Sequence, residues 1–260
     1  MSALRRYRAR LGAGGLLLLT VWEISVLVVA RESAPTARDW QDAAATVRAA
    51  AGPDALVVFA PRWIDPVGRL WLGDRISPDQ AARMDTARYR QVFELSIRGA
   101  DALDVSGESA VTDQRFGQLR VRQFVRRAPS VSWTLTDNAH IHEVDFLPRK
   151  SVLFELGGAY DQQRLAFARV TLGAELHVYA GLADYKIRAD NRATALLRVM
   201  VDGEEVARGT VGNESGWLAL PVVATRPGTH DVEFVARVQD PRLPIHLALA
   251  VAAESRTPQP

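Results

Sequence analysis

The hydrophobic pattern divides the chain into three stretches. The first is an apolar run, residues 11–30, LGAGGLLLLTVWEISVLVVA, interrupted by one charge, Glu23. At about 1.5 Å of rise per residue, a helix of this length covers roughly 30 Å, the thickness of a bilayer core. A carboxylate at mid-span costs on the order of 2.5–3.5 kcal/mol, which the leucines of 16–19 and the Val/Ile/Leu residues of 21–29 offset. Arg5, Arg6, Arg8 and Arg10 precede the run with no acid among them. Such a cluster stays on the cytoplasmic side. The pattern predicts a cytoplasmic basic segment over 1–10, a transmembrane anchor over 11–30 in the inner (cytoplasmic) membrane, and everything beyond on the outer side. A signal peptide cleaved after Val28-Val29-Ala30 is the competing reading; it also exports residues 31–260. Glu23 reads either as a polar contact with a partner helix or as a residue tolerated in a single span.

The second stretch, 36–127, mixes two periods. Trp40, Ala43, Ala44, Val47, Ala50 and Ala51 recur at helical spacing, with Thr36 as N-cap and Gly52 as stop. Residues 55–60 and 91–97 are short apolar runs, the signature of strands buried on both faces. Ser77-Pro78-Asp79-Gln80 carries the signs of a helix start between them. Helix, strand, helix, strand in this order predicts a parallel pair. Residues 110–113 and 119–125, around Arg115-Phe116-Gly117, read as a hairpin. The stretch is therefore a small α/β domain.

From 128 to 255 the period is two. Strands are predicted at 130–136, 140–146, 152–156, 164–172, 175–180, 193–201, 205–211, 217–223, 230–238 and 245–251. Gly157-Gly158, Asp202-Gly203 and Pro227-Gly228 mark turns, and Asp202-Gly203 is a strong hairpin signal. Short strands at this spacing predict a two-sheet sandwich, jelly-roll-like. The whole is an α+β chain: one transmembrane helix, a small α/β domain and an all-β sandwich.

Composition narrows the function. The net charge is +2, and the four arginines of the first ten residues leave the rest two charges negative. Such a body has no footprint for nucleic acid. There is no cysteine, which excludes disulfides, thiolate zinc sites and cysteine nucleophiles. Lys150 and Lys186 are the only lysines, a bias that suits a GC-rich genome.

The loop after the first strand, 61–74, holds the densest candidate chemistry. Ligands gather outside the carboxyl ends of strands in open α/β sheets. Here Trp63 and Trp71 offer stacking faces, Arg62 and Arg69 offer guanidinium groups, and Asp65 and Asp74 offer carboxylates. That set suits a polyhydroxylated or anionic ligand. The plain reading places both indoles in the core, has Asp65 cap a helix starting at Pro66, and leaves the arginines solvated. In the sandwich, Trp217 and Arg188 are further ligand candidates, beside Trp133, Tyr160, Tyr179, Asp184 and Tyr185; aromatics stack on sugar faces while polar neighbours bond hydroxyls. His140 and His142 share one strand face, yet no third ligand accompanies them, so no metal site is assigned. No GxSxG, HExxH, P-loop or GxGxxG pattern occurs, and no catalytic residue or cofactor is assigned.

Two resemblances add to this. Asp39-Trp40-Gln41-Asp42-Ala43-Ala44 with Val47-Arg48, the strand after Gly52-Pro53-Asp54, and Phe116-Gly117-Gln118-Leu119-Arg120-Val121-Arg122-Gln123-Phe124 resemble the extracytoplasmic tail of bacterial multi-span glycosyltransferases that use polyprenyl-phosphate sugars, over roughly residues 11–126. That family's catalytic carboxylates lie on a loop between membrane helices that this chain lacks, so the resemblance implies a related ectodomain without the catalytic machinery. Over 150–255, Gly173 to Glu175, Gly181-Leu182, Arg188, Val201-Asp202-Gly203 and Gly216-Trp217 resemble jelly-roll modules that bind carbohydrate or accompany carbohydrate-active enzymes.

The resulting expectation is a membrane-anchored, non-catalytic envelope protein. It binds a glycan or lipid-linked sugar, or supports an integral-membrane glycosyltransferase. The alternatives are a glycan-modifying enzyme using Asp65 and Asp74, and a structural subunit of an envelope complex.

Overall fold

The computed structural model describes residues 19–26, 28, 34–52, 55–77, 80, 82–157, 162–183, 193–239 and 247–259. Residues 19–26 and 28 are helical and exposed, with Leu19, Val21, Trp22, Ile24, Val26 and Val28 all open to solvent. Among the described residues no helix is long and apolar enough to cross a membrane. The remainder of 11–30, and Arg5 to Arg10, lie outside the described residues.

The chain forms two compact units: Met1–Gly73 with Gln91–Val125, and Asp74–Arg90 with Arg126–Pro260. One junction between the units falls between Val125 and Arg126. The difference is residues 74–90, which the sequence places in the α/β domain and the structure places with the sandwich.

In the α/β unit, helix α1 (Ala37–Ala50) starts at a capping box. The Asp39 amide donates to Thr36 Oγ1 at 3.2 Å, and the Thr36 amide donates to Asp39 Oδ2 at 2.8 Å. Its helical spacing buries Trp40, Ala43, Ala44 and Val47. Strands β1 (Leu56–Ala60) and β2 (Gln91–Ile97) are parallel, and β2 continues antiparallel to β4 (Leu119–Val125), which pairs with β3 (Thr112–Phe116). The sheet order is β1-β2-β4-β3. Helix α2 (Asp65–Leu72) follows β1. Gly68 lets it lie close: a Cβ there would stand 2.0 Å from the Phe59 ring. Gly117 in the β3–β4 turn does the same for α1, where a Cβ would stand 2.5 Å from the Asp39 carboxylate. The two motifs behind the glycosyltransferase-tail resemblance therefore meet.

The expected helix start at Ser77 is present as a cap, the Ser77 amide donating to Gln80 Oε1 at 2.7 Å. The described residues that follow form 3-10 turns.

In the second unit, two antiparallel sheets pack face to face. The labels run β5 (Ser130–Thr134), β6 (His140–Val144), β7 (Leu147–Leu156), β8 (Gln162–Leu172), β9 (Glu175–Leu182), β10 (Ala195–Val201), β11 (Glu204–Val211), β12 (Leu218–Ala219), β13 (Val223–Ala224), β14 (Gly228–Val238) and β15 (Leu247–Thr257). One sheet has the order β11-β10-β14-β8; the other runs β12-β9-β15-β7-β6, with β13 on β9 and β5 on β15. From β7 onward the chain passes from one sheet to the other at each connection except the β10–β11 hairpin and the step from β12 to β13. This is the connectivity of a jelly-roll-like sandwich. Inward-facing Phe154, Leu176, Val178, Leu197, Val199, Phe234, Leu249 and Val251 form its core. The single strand expected over 217–223 is two short ones, because Pro221 has no amide hydrogen for the ladder.

Strand β15 departs most from expectation. It reaches Thr257 and is buried on both faces. Its outer side packs Ala250 and Ala252 against Tyr179, Trp217, Val144 and Met84. Beyond these, Arg256 donates through Nη1 to Asp85 Oδ1 at 2.8 Å and pairs with Glu254, while Arg88 Nη1 lies 3.1 Å from Glu254 Oε2. Tyr179 donates its hydroxyl to Asp85 Oδ2 at 2.7 Å. Burial pulls the Arg256 guanidinium down to about 10, still a cation at neutral pH. This cluster is why 74–90 belongs to the sandwich.

The Asp202-Gly203 turn has φ of 52° and 83°, the left-handed pair of a type I′ hairpin. It is tied to β14 by His230 Nδ1, 2.7 Å from Asp202 Oδ2, and by the Asp231 amide, which donates to Asp202 Oδ1 at 2.9 Å. The Asp202 bond raises His230, and the Asp231 amide, with His230, lowers Asp202. The His230 contribution is therefore complete below about pH 6.5 and lost as pH rises through its raised pKa. The Asp202 contribution is lost only as pH falls below about 4. The melting-temperature gap between wild type and His230→Gln should be widest near pH 5–6 and narrow by about pH 8–9; a gap that ignores pH would contradict the pairing.

Candidate functional site

The candidate residues begin at the carboxyl end of β1. The chain turns at Pro61 into a 3-10 turn, Arg62–Ile64, and then α2. Ile64, Gly68 and Leu72 recur every four residues and are buried. That choice of inner face turns Trp63, Val67 and Leu70 outward. Trp63 is 62% exposed, and the Arg98 guanidinium carbon lies 6.0 Å from its ring centroid, within cation–π range. Trp63 is thus an open indole and not a core residue.

At the same strand end lies a pocket of about 290 Å³ lined by Phe59, Pro61, Arg62, Asp101, Leu103 and Asp104. Its walls combine an apolar floor with groups of both signs, so hydroxyls can accept from a guanidinium and donate to carboxylates. The loop 101–104 is held from beneath. Glu94, fully buried on β2, accepts the Ala102 amide at 2.8 Å and three hydrogen bonds from Arg122, the shortest 2.7 Å. Arg122 also pairs with Asp101.

The other loop candidates fall in different places. The helix starts one residue earlier than expected, so Asp65 is the first residue of α2 and not its cap, and it pairs with Arg69 at 3.0 Å. Trp71 is half-buried, and its carbonyl accepts from Arg48 Nη2. Asp74 belongs to the other unit and pairs with Arg75 at 3.9 Å. The carboxylates of Asp65 and Asp74 thus each face an arginine.

In the sandwich, Trp217 is 8% exposed and donates its indole N–H to the Leu147 carbonyl at 2.8 Å. It covers the outer face of a sheet and offers no ring face to a ligand. Tyr179 is likewise buried, with the Arg149 guanidinium 4.0 Å from its ring centroid, and Trp133 packs edge-on against Phe167. Arg188, Tyr160, Asp184 and Tyr185 lie outside the described residues. His140 and His142 stack edge-on at 6.4 Å, and His142 Nδ1 bonds Ser151 Oγ at 3.0 Å. Among the described residues no three His, Asp or Glu side chains gather as metal ligands.

Sequence reasoning missed Arg98, Asp101, Asp104 and the Glu94–Arg122 pair. One signal was available: Glu94 is the only charge inside the apolar run 91–97. A charge in a buried strand needs a partner.

Fold and site together define a two-unit protein: an α/β unit with an open indole beside a small mixed-charge pocket, and a β-sandwich. No protein family and no curated protein matches the sequence. Solved structures similar to it include CBM51-2 with INT domains of Clostridium perfringens ZmpB in complex with GlcNAc. That match has 12% identity and a TM-score of 0.31, and it covers 62% of this chain and 40% of the other. The CBM36 module in complex with calcium and xylotriose has 11% identity and a TM-score of 0.30, covering 48% of this chain and 98% of the module. CBM51 from Clostridium perfringens GH95 in complex with methyl-galactose has 13% identity and a TM-score of 0.31, covering 50% of this chain and 93% of the module. The chain thus spans under half of the ZmpB fragment.

Proposed function

We propose that residues 31–260 work outside the cytoplasm, held to the inner membrane by 11–30, and that the α/β unit binds a glycan or lipid-linked sugar without transforming it. The observation that carries the glycan reading is Trp63, 62% exposed and next in sequence to Arg62, which lines the pocket of about 290 Å³. An indole covers one face of a pyranose, while Arg62, Asp101 and Asp104 meet its hydroxyls. The volume is at the low end for ligand pockets, roughly 300–1,000 Å³, and suits a single sugar residue. The non-catalytic reading is supported by Asp65 and Asp74, whose carboxylates each face an arginine.

The test is a glycan screen on residues 31–260, repeated with Trp63→Ala. Loss of the exposed ring should weaken binding by about 1–2 kcal/mol, a factor of roughly 5–30, with little change in melting temperature. Unchanged affinity would end this reading.

A second reading has its own observation. Val67 and Leu70 of α2 are 44% and 80% exposed and, like Trp63 in the turn before it, face outward. An apolar face of this kind suits a protein partner, here an integral-membrane glycosyltransferase. Leu70→Glu should abolish that association and leave glycan affinity intact.

The exposed apolar helical residues 19–26 and 28 support the anchor. A reporter fused after Pro260 should be active outside the cytoplasm and remain with the membrane fraction; activity confined to the cytoplasm would overturn the topology.

A further inference from the structure

Cross-strand register sets two rows of side chains on one face of the α/β sheet. One row is Ala60, Ser96, Arg120 and Arg115; the next is Val58, Glu94, Arg122 and Asp113. Residues two apart along each strand share a face, so the two rows lie side by side.

The second row contains its own compensation, since Glu94 meets Arg122. In the first, Arg115 and Arg120 stand directly opposite on β3 and β4, two like charges at the closest cross-strand distance, which destabilises a sheet. Asp113 offsets Arg120, accepting from its Nε at 2.8 Å. Among the described residues no carboxylate lies within ion-pair distance of Arg115. Beside them Ser96 is 1% exposed, and its Oγ has no hydrogen-bond partner. A buried hydroxyl left unpaired is rare and costs stability. All three residues line one cavity of about 240 Å³, together with Arg98, Gly99 and Gly117.

We propose that this cavity binds an oxyanion, a carboxylate or a phosphate, as the acidic group of the sugar that stacks on Trp63. The guanidinium groups of Arg115 and Arg120 meet its oxygens and the Ser96 hydroxyl donates to it. Such a ligand relieves the cation pair and satisfies the buried hydroxyl together, which no neutral sugar does. Arg98 joins this cavity to Trp63, since it lines the one and lies over the ring of the other. The identification of the ligand as an acidic sugar rests on the Trp63 reading; capture of the oxyanion does not.

The experiment is calorimetric titration of the full chain at constant ionic strength with inorganic phosphate, glucose 1-phosphate, glucuronate and glucose. Phosphate should bind saturably. Glucose 1-phosphate or glucuronate should bind tighter, the stronger one identifying the acid, and glucose more weakly than either. Arg115→Gln should weaken every anion about tenfold or more. Ser96→Ala should weaken the anions while melting no lower than wild type, because the hydroxyl it removes has no partner. Trp63→Ala should keep phosphate binding and lose the gain contributed by the sugar ring. Absence of saturable anion binding, or equal constants for wild type, Arg115→Gln and Ser96→Ala, would overturn the inference. If sugars bind through Trp63 while anions gain nothing, the glycan reading stands alone. If phosphate binds as described and no sugar adds to it, the oxyanion site stands and the glycan reading fails.

Discussion

Replacing Asp85 with alanine should cost the sandwich about 3–5 kcal/mol, the usual consequence of removing one partner of a buried ion pair. Arg256 is 3% exposed and is held between Asp85 and Glu254. Without Asp85, Glu254 must serve both Arg256 and Arg88, and the Tyr179 hydroxyl loses its acceptor. At roughly 2–4 °C per kcal/mol for a unit of this size, the melting temperature should fall by about 10 °C. A double variant, Asp85→Leu with Arg256→Met, should regain most of the loss, because it leaves no charge buried. The measurement is a thermal melt followed by circular dichroism. A loss under about 1 kcal/mol for Asp85→Ala would mean that water reaches Arg256 in its place. The same reasoning bears on truncation: residues 126–260 alone would leave the outer faces of Ala250, Ala252, Tyr179 and Trp217 uncovered by Met84 and Arg256 without Asp85, so they should melt lower than the sandwich with 74–90 present.

Glu94→Ala should be comparably severe for the α/β unit, again about 3–5 kcal/mol. Glu94 is fully buried and accepts four hydrogen bonds, three from Arg122 and one from the Ala102 amide. Its loss leaves Arg122 unpaired at that position and frees the loop carrying Asp101 and Asp104. Stability and ligand affinity should therefore fall together, unlike Trp63→Ala, where affinity alone changes. Glu94→Gln keeps an acceptor for Ala102 and should lose less of both. Denaturant unfolding and titration on the same three variants separate the cases. An affinity that survives in folded Glu94→Ala would show that the loop does not depend on this carboxylate.

Much of the fold was legible. The Thr36 cap and the spacing from Trp40 to Val47 predict α1 because helical period and capping are local physics. The strands of β1 and β2 read as unbroken apolar runs, and their parallel pairing follows from the elements between them. In the sandwich, alternation locates nearly every strand, and Asp202-Gly203 places the β10–β11 turn because few residues adopt left-handed backbone readily. The candidate site was legible in part. A loop at a strand end, rich in tryptophan and arginine, is where the sequence places the candidate chemistry, yet the loop itself does not say which indole is exposed. That followed from Phe59 and Gly68, whose close contact fixes the inner face of α2.

What the sequence determined by itself is what is set over a few residues: most of the elements, the hairpin turns and the exposed or buried period of the strands. What the tertiary structure alone decided is which distant side chains share a low-dielectric space. Residues 74–90 join the sandwich because Asp85 meets Arg256, a partner 171 positions away. Strand β15 continues through Glu254 and Arg256 because that partner covers them. Trp217 closes a sheet face instead of greeting a ligand, and Ser96, Arg115 and Arg120 form a row only through strand register. Such pairings depend on loop closure and burial over long separations, where local propensity carries no information.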